Sequence, residues 1–215
     1  MKRLEPKILS KLEISDSVDL TIALSIEEDV PIENMLFQKD KLRYTDANRI
    51  EFRGCQFDRV DLNHMQIQNG YFLDVCFENC DLSNINFNQA LLRRVSFKAC
   101  KLTGSDFSET LLDQVYFEDC QMDYCNFSST KIKGLGFENC QLSQSSFNEC
   151  DLKKAEFSHC NLNSVEFIQT PLKNIDLTSN DIQGLLISFD HLRGAIVSSE
   201  QALQLSLLLG IKIKG

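Results

Sequence analysis

The sequence predicts an all-β solenoid whose chain turns every five residues. Three observations carry this. Every fifth residue from Ile32 to Val197 is apolar (Ile32, Phe37, Leu42, Ala47, Phe52, Phe57 and onward to Leu192 and Val197), a run that chance gives a 43% hydrophobic chain with a probability of roughly 10⁻¹². Five matches neither the 3.6 period of a helix nor the 2.0 period of a long strand, so the chain must bend once per unit. A second apolar column lies two positions earlier (Cys55, Val60, Val75, Cys80, Val95), and residues two apart in extended chain point the same way. Each unit therefore directs two side chains inward and three outward. Finally, steps of twenty collect like with like: Phe57, Phe77, Phe97, Phe117, Phe137 and Phe157 in one column, and Phe87, Phe107, Phe127, Phe147 and Phe167 in another. Leu, Ile and Met columns lie between, starting from Leu62 and from Leu92. A twenty-residue coil with four sides follows.

Units such as Cys80-Asp81-Leu82-Ser83-Asn84 and Val95-Ser96-Phe97-Lys98-Ala99 resemble the pentapeptide-repeat family: a small residue, a polar one, Leu or Phe, then two more polar ones. The resemblance implies a right-handed quadrilateral parallel β-helix. It divides the chain into an N-terminal cap or irregular first coil (1–31), the β-helix (32–197) and a C-terminal cap (198–215). About eight coils at the strand spacing of roughly 4.8 Å give a rod about 40 Å long.

The ends must cover the unpaired backbone of the first and last coils. At the C-terminus, Ser198-Ser199-Glu200-Gln201 reads as a capping box. It opens a leucine-rich helix that stops at Gly210, after which Ile211-Lys212-Ile213-Lys214 alternates like a final strand. The apolar residues Leu203, Leu205, Leu207, Leu208, Leu209 and Ile211 either close a monomeric end-cap or, as the family resemblance implies, form a two-fold dimer interface. At the N-terminus, Leu20, Ile22, Leu24 and Ile26 alternate like a strand, and 27–31 reads as a turn.

Of the nine cysteines, eight (Cys55, Cys80, Cys100, Cys120, Cys125, Cys140, Cys150, Cys160) occupy the inward small-residue column, so core filling is expected over disulfides or metal. Cys76 is one residue out of phase and reads as a surface thiol. No stretch reaches the roughly 20 apolar residues of a membrane span, and no apolar segment follows Met1-Lys2-Arg3; a cytoplasmic protein is expected.

Chemistry is sparse. His64, His159 and His191 are scattered without metal-ligand spacing, and there is no phosphate loop or nucleophile elbow. No catalytic, cofactor or metal residue is assigned, and an enzyme is not expected. Net charge −9 disfavours direct nucleic-acid binding. Steps of twenty instead show an acidic stripe, Asp58, Glu78, Lys98, Glu118, Glu138, flanked by Asp61, Asp81, Asp119 and Asp123. The adjacent face carries Arg53, Arg93, Lys133, Lys153 and Lys173, with Arg94 and Lys154 beside them. A stripe of about eight carboxylates falls short of the roughly 24 phosphates on 40 Å of duplex, so it can imitate DNA only in part.

The unbroken rod, the Leu-Gly-Ile C-terminus and the acidic surface resemble the Qnr and MfpA-like group within this family. That resemblance implies a homodimeric DNA mimic that binds DNA gyrase and topoisomerase IV, inhibiting them or shielding them from fluoroquinolones. The expected contacts are Asp58, Glu78, Asp81, Glu118, Asp119 and Glu138. Many Qnr members carry two loops that interrupt the repeat; this chain has none. A general interaction scaffold with an unrelated cytoplasmic partner is the competing expectation.

Overall fold

A computed structural model describes residues 3–43 and 46–211. Strands and helices follow in the order β1 (Glu13–Ile14), α1 (Val18–Glu28), β2 (Ile32–Glu33), β3 (Met35–Gln38), β4 (Glu51–Arg53), β5 (Gln56–Asp58), β6 (Tyr71–Glu78), β7 (Leu91–Lys98), β8 (Leu111–Glu118), β9 (Lys131–Glu138), β10 (Ala155–Ser158), α2 (Phe189–Leu192) and α3 (Ser199–Ser206). Every strand pairing is parallel. The register through the repeat is twenty residues, with Phe57 opposite Phe77, Phe77 opposite Phe97 and Phe97 opposite Phe117, and it slips locally where Asp113 faces Gly134. Two of the four sides are built of these strands. The other two are single parallel bridges, such as Asp61 to Asp81 and Asn86 to Asp106. The expected four-sided β-helix is the fold.

The bend has a specific backbone form. Every non-glycine residue with positive φ among the described residues stands two places after the apolar register position or its N-terminal continuation, from Asp29 (φ 52°) to Asn174 (φ 66°). On the bridge sides this residue is the third of a β-turn closed by an i→i+3 bond, as in Ile85 N–H to Leu82 O (3.1 Å) and Ser105 N–H to Leu102 O (3.0 Å). Positive φ at that position is the mark of a type II turn. For an L-residue the left-handed region costs about 1–2 kcal/mol. Each corner is held there because both flanking apolar side chains are buried and the peptides on either side bond to the next coil.

Phenylalanine fills the interior. Along the column from Phe37 to Phe157 successive rings stack with centroids 4.7–5.2 Å apart, and the Phe87 to Phe167 column stacks at 4.7–5.5 Å. Between columns the rings meet edge to face, as in Phe107–Phe117 at 5.7 Å and 83°. Both arrangements suit the ring quadrupole, and each adds about 0.5–1.5 kcal/mol beyond area burial.

The small-residue column also makes hydrogen bonds that the sequence pattern does not announce. Ser105 Oγ donates to Leu82 O (2.9 Å), Cys125 Sγ to Leu102 O (3.1 Å), Ser145 Oγ to Met122 O (2.8 Å) and Thr130 Oγ1 to Phe107 O (2.9 Å). The acceptor in each case is a carbonyl of the preceding coil. This is why Cys, Ser and Thr share positions that Val and Ala also fill. All nine cysteines are free. Burial pushes the Cys55 and Cys150 thiols up to about 11 and raises Cys125, so these groups are unreactive core. Cys76 is half-buried rather than a surface thiol, and burial raises its pKa as well.

The N-terminal segment differs from expectation. Residues 20–26 lie within helix α1, not a strand. Ser17 caps the helix, and the buried residues Val18, Ile22 and Ser25 follow helical spacing, leaving Leu20, Leu24 and Ile26 exposed. The apolar alternation is misleading because only Ile22 of those four faces the core. The helix covers the first coil, where Val18 N–H donates to Asp40 (2.7 Å) and Arg43 N–H to Asp19 (2.8 Å).

Ahead of the helix, residues 3–11 form an extended strap that reaches over later coils. Lys7 N–H donates to Asp74 Oδ1 at 2.8 Å. The Arg3 guanidinium lies over the Tyr116 ring at 4.9 Å and reaches Glu118 at 3.4 Å. Tyr116 lies flat because the next rung is Gly136, where a Cβ would stand 2.7 Å from the ring.

Asp74 anchors the strap. Burial opposes its charge, but Arg94 (Nε to Oδ1, 2.6 Å) and the Lys7 N–H together hold its pKa below the usual carboxylate value. A depressed carboxylate stabilises the folded form fully above its unfolded value of about 3.9, and that contribution fades as pH falls through the lower folded value. Amides of residues 3–11, corrected for intrinsic exchange, are therefore expected to lose protection below about pH 4 in the native protein and at neutral pH in Asp74→Asn, with coil amides unaffected. Unchanged strap protection in Asp74→Asn would contradict the anchor. A second expectation tests the corners: Ala99→Gly, at φ 52°, should stabilise by up to about 1 kcal/mol in denaturant unfolding, whereas Val95→Gly on the same side of the coil should destabilise by more than about 2 kcal/mol.

Candidate functional site

The repeat stacks Asp58, Glu78, Glu118 and Glu138 in one column, with Asp119 at the corner beside it and Asp81 just past that corner on the bridged side. Asp58 pairs with Glu78, Glu78 with Lys98, Lys98 with Glu118 and Glu118 with Glu138, each one coil apart. Successive side chains in such a column are about 4.8 Å apart at the backbone, and like charges at that spacing repel. The chain relieves this at two places. Lys98 Nζ meets Glu118 Oε1 at 2.6 Å, and this contact holds the Glu118 carboxyl below its ordinary range. Asp58 is only 9% exposed, and its carboxylate is engaged by Arg59.

Four predicted carboxylates remain without an ion pair among the described residues: Glu78, Asp81, Asp119 and Glu138. Glu78 and Asp81 are half-buried, while Asp119 and Glu138 are exposed. Asp81 Oδ1 accepts from Ser83 N–H and Oγ (3.1 and 2.7 Å), and Asp119 Oδ1 accepts from Asn139 Nδ2 at 3.2 Å. These bonds fix the carboxylates without neutralising them. The six residues thus share one flank but differ in availability. Arg3, carried by the strap, places a cation beside Glu118, a contact no local pattern reveals because 115 residues separate the two.

At the C-terminal end the capping box is present. Ser198 Oγ accepts from Gln201 N–H at 3.2 Å, and Gln201 Oε1 accepts from Ser198 N–H at 2.9 Å. Gln201 also closes the solenoid, since its Nε2 donates to Leu177 O and Asn180 O, both at 2.8 Å, satisfying carbonyls of the last coils. The α-helix is shorter than expected. It ends at Ser206 and continues as a 3₁₀ turn over Leu207–Leu209 to Gly210, whose φ of 69° ends it.

Of the predicted interface residues, Leu203 (56%), Leu207 (68%), Leu208 (44%) and Ile211 (48%) are exposed. Leu205 instead packs against the solenoid core and belongs to the cap. The Leu209 side chain and the expected strand beyond Ile211 lie outside the described residues.

His159 Nδ1 lies 3.0 Å from Ser158 Oγ on the surface, and His191 contacts Ser188. No group of His, Cys, Asp and Glu among the described residues is arranged to hold a metal, and no helix there is long and apolar enough to cross a membrane.

Two trypsin-treated variants of QnrB1, described as a plasmid-mediated fluoroquinolone resistance protein, are similar in structure. One is 24% identical, covers 86% of this chain and 90% of its own, and has a TM-score of 0.27; the other is 22% identical, covers 97% and 100%, and scores 0.29. HetL of the cyanobacterium Nostoc sp., described as involved in heterocyst differentiation regulation, is 12% identical over 81% of this chain and 97% of that one, with a TM-score of 0.29. Scores this low carry nothing about function. No curated protein matches the sequence. The family model for the pentapeptide repeat region matches residues 71–138 and 130–201, more than half of the 215 residues, and the chain belongs to the pentapeptide-repeat family.

Proposed function

We propose that this protein is a DNA-mimicking rod that binds a type II topoisomerase, DNA gyrase or topoisomerase IV, and acts by occupying the surface that holds the duplex. The partner comes from the sequence resemblance to the Qnr and MfpA-like group. The observation that supports the mode of action is a flank whose carboxylates Glu78, Asp81, Asp119 and Glu138 have no ion pair among the described residues, Glu78 and Glu138 sharing one column of the twenty-residue register. In this reading the rod performs no chemistry: a positively charged groove shaped for duplex accepts the flank, and the rod competes with DNA. With about four available carboxylates against roughly 24 phosphates, rod width and length carry as much of the fit as charge.

The charge contribution has a direct test in a supercoiling assay with and without ciprofloxacin. Glu78→Lys with Asp119→Asn and Glu138→Lys should weaken inhibition at least tenfold. All three positions are outward, so unfolding stability should shift by less than about 1 kcal/mol. Native-like inhibition by the triple variant would remove the column from the mechanism. Loss of drug-stabilised cleavage on adding the rod identifies a protector; inhibition without that loss identifies a plain inhibitor; no effect on either enzyme favours a scaffold with another partner.

The exposed Leu203, Leu207, Leu208 and Ile211 are the proposed contact of a homodimer joined at its C-terminal ends, giving a rod about twice as long. Leu207→Glu should convert a dimer into a folded monomer in sedimentation velocity at micromolar concentration, because it places a charge in an apolar contact while leaving Leu205 and Gln201 to seal the coil. A native protein that sediments as a monomer would contradict the interface.

A further inference from the structure

The N-terminal strap lies on a surface that is satisfied without it. Between residues 3 and 12 no backbone–backbone bond ties the strap to the rod among the described residues, and Leu4 and Leu9 are exposed. Its holds are the Lys7 N–H on Asp74 and, two coils further along the rod, the Arg3 guanidinium on Tyr116 and Glu118. Each of these groups keeps a second partner within the rod. Asp74 has Arg94 Nε (2.6 Å), Glu118 has Lys98 Nζ (2.6 Å), and the Tyr116 hydroxyl donates to Gln114 Oε1 (3.1 Å). Arg3 carries its own counter-ion, Glu5, at 2.7 Å. Lifting the strap therefore leaves Asp74, Glu118 and Tyr116 each with a hydrogen bond, so none meets the cost of an unpaired buried group.

What the strap covers is shaped for a cation. Tyr116, Gly136 and Glu156 stack in one outward column, and Glu118, Glu138 and Ser158 in the next. Gly136 offers no side chain, so the Tyr116 ring lies flat over it and turns a face toward Arg3, whose guanidinium stands 4.9 Å from the ring centroid. Beyond Arg3 the surface continues as a cleft of about 250 Å³ bordered by Gly136, Glu138, Glu156 and Ser158. A planar guanidinium stacks on an aromatic face while pairing with carboxylates at its edge, a combination an ammonium matches less well.

We propose that this surface is a guanidinium site for an arginine-bearing extended segment of a partner protein, occupied in cis by Arg3 until that segment replaces the strap. Tyr116 is the platform, and Glu118, Glu138 and Glu156 supply the opposing charge. The strap is the template for its replacement: an extended backbone donates an N–H to Asp74, and an arginine four residues earlier reaches Tyr116. Self-occupancy lowers the apparent affinity for the partner by the fraction of molecules whose strap is raised. The inference deepens the reading of the acidic flank and rests on it for the choice of a cationic partner, because Glu118 and Glu138 belong to that column.

The test uses the full-length protein, native and Arg3→Ala, and a fluorescein-labelled peptide of the strap itself, Lys-Arg-Leu-Glu-Pro-Lys-Ile-Leu, followed by anisotropy. Arg3→Ala should bind this peptide at least tenfold more tightly than the native protein does. A peptide with citrulline for arginine keeps the shape without the charge and should bind Arg3→Ala at least tenfold more weakly. Adding Tyr116→Leu to Arg3→Ala should cost at least tenfold, with circular dichroism checking the fold; adding the outward Glu138→Gln instead should cost at least threefold and does not touch the core. Absence of binding to Arg3→Ala at millimolar peptide, equal affinity for native and Arg3→Ala, or equal binding of the citrulline peptide would each overturn the proposal. In the supercoiling assay Arg3→Ala should inhibit gyrase at least threefold more strongly than the native rod. The expected peptide results with gyrase indifferent to both forms would keep the site and remove the topoisomerase as its partner.

Discussion

The structure depends on one backbone constraint: a left-handed residue at nearly every corner of the coil. That conformation is costly for any side chain but glycine, and the chain places Asn, Asp, Gln, Arg, Glu and His there with few glycines. Asn and Asp tolerate it best; the others are held by what surrounds them. Once the corner is set, the two flanking side chains point inward, the three remaining ones point outward, and the next coil starts twenty residues on. Phe stacks on Phe because the corner repeats, and buried Ser, Thr and Cys reach carbonyls of the coil below for the same reason.

The same constraint makes the surface a set of columns. A residue's charge is felt chiefly by residues twenty away, so single substitutions alter a whole flank. Lys98 stands within the acidic column and pairs with Glu118, while Glu78 and Glu138 have no ion pair among the described residues. The strap crosses this flank and brings Arg3 to it, tying the N-terminus to the face proposed to meet a partner. Both ends are closed by polar side chains aimed at backbone, Asp40 and Asp19 at the first coil and Gln201 at the last.

Most of the core is legible in the sequence because a five-residue period leaves little freedom: the Phe columns, the inward cysteines and the capping box at Ser198 all follow from local spacing. The failures have physical causes. Residues 20–26 mimic a strand, yet Ser17 is a good N-cap and Val18, Ile22 and Ser25 keep helical spacing, a weaker signal than the alternation that hides it. Leu205 sits among the exposed leucines in sequence although it faces the core. The strap is invisible: Lys7 to Asp74 and Arg3 to Tyr116 join distant segments, and Gly136 explains itself only once Tyr116 is seen above it. In the candidate site, column membership is predictable, but availability is not. Asp58 is buried, and its carboxylate is paired with the adjacent Arg59.

These features give an acidic rod, net charge −9, whose flank presents charge at coil spacing. The central claim is that this flank occupies the place of duplex DNA on a type II topoisomerase. The most direct measurement is competition at equilibrium: labelled duplex bound to gyrase, titrated with the rod at several duplex concentrations. The account predicts complete displacement, with the midpoint rising in proportion to duplex concentration. A ternary complex of enzyme, duplex and rod, or a midpoint independent of duplex concentration, would contradict it.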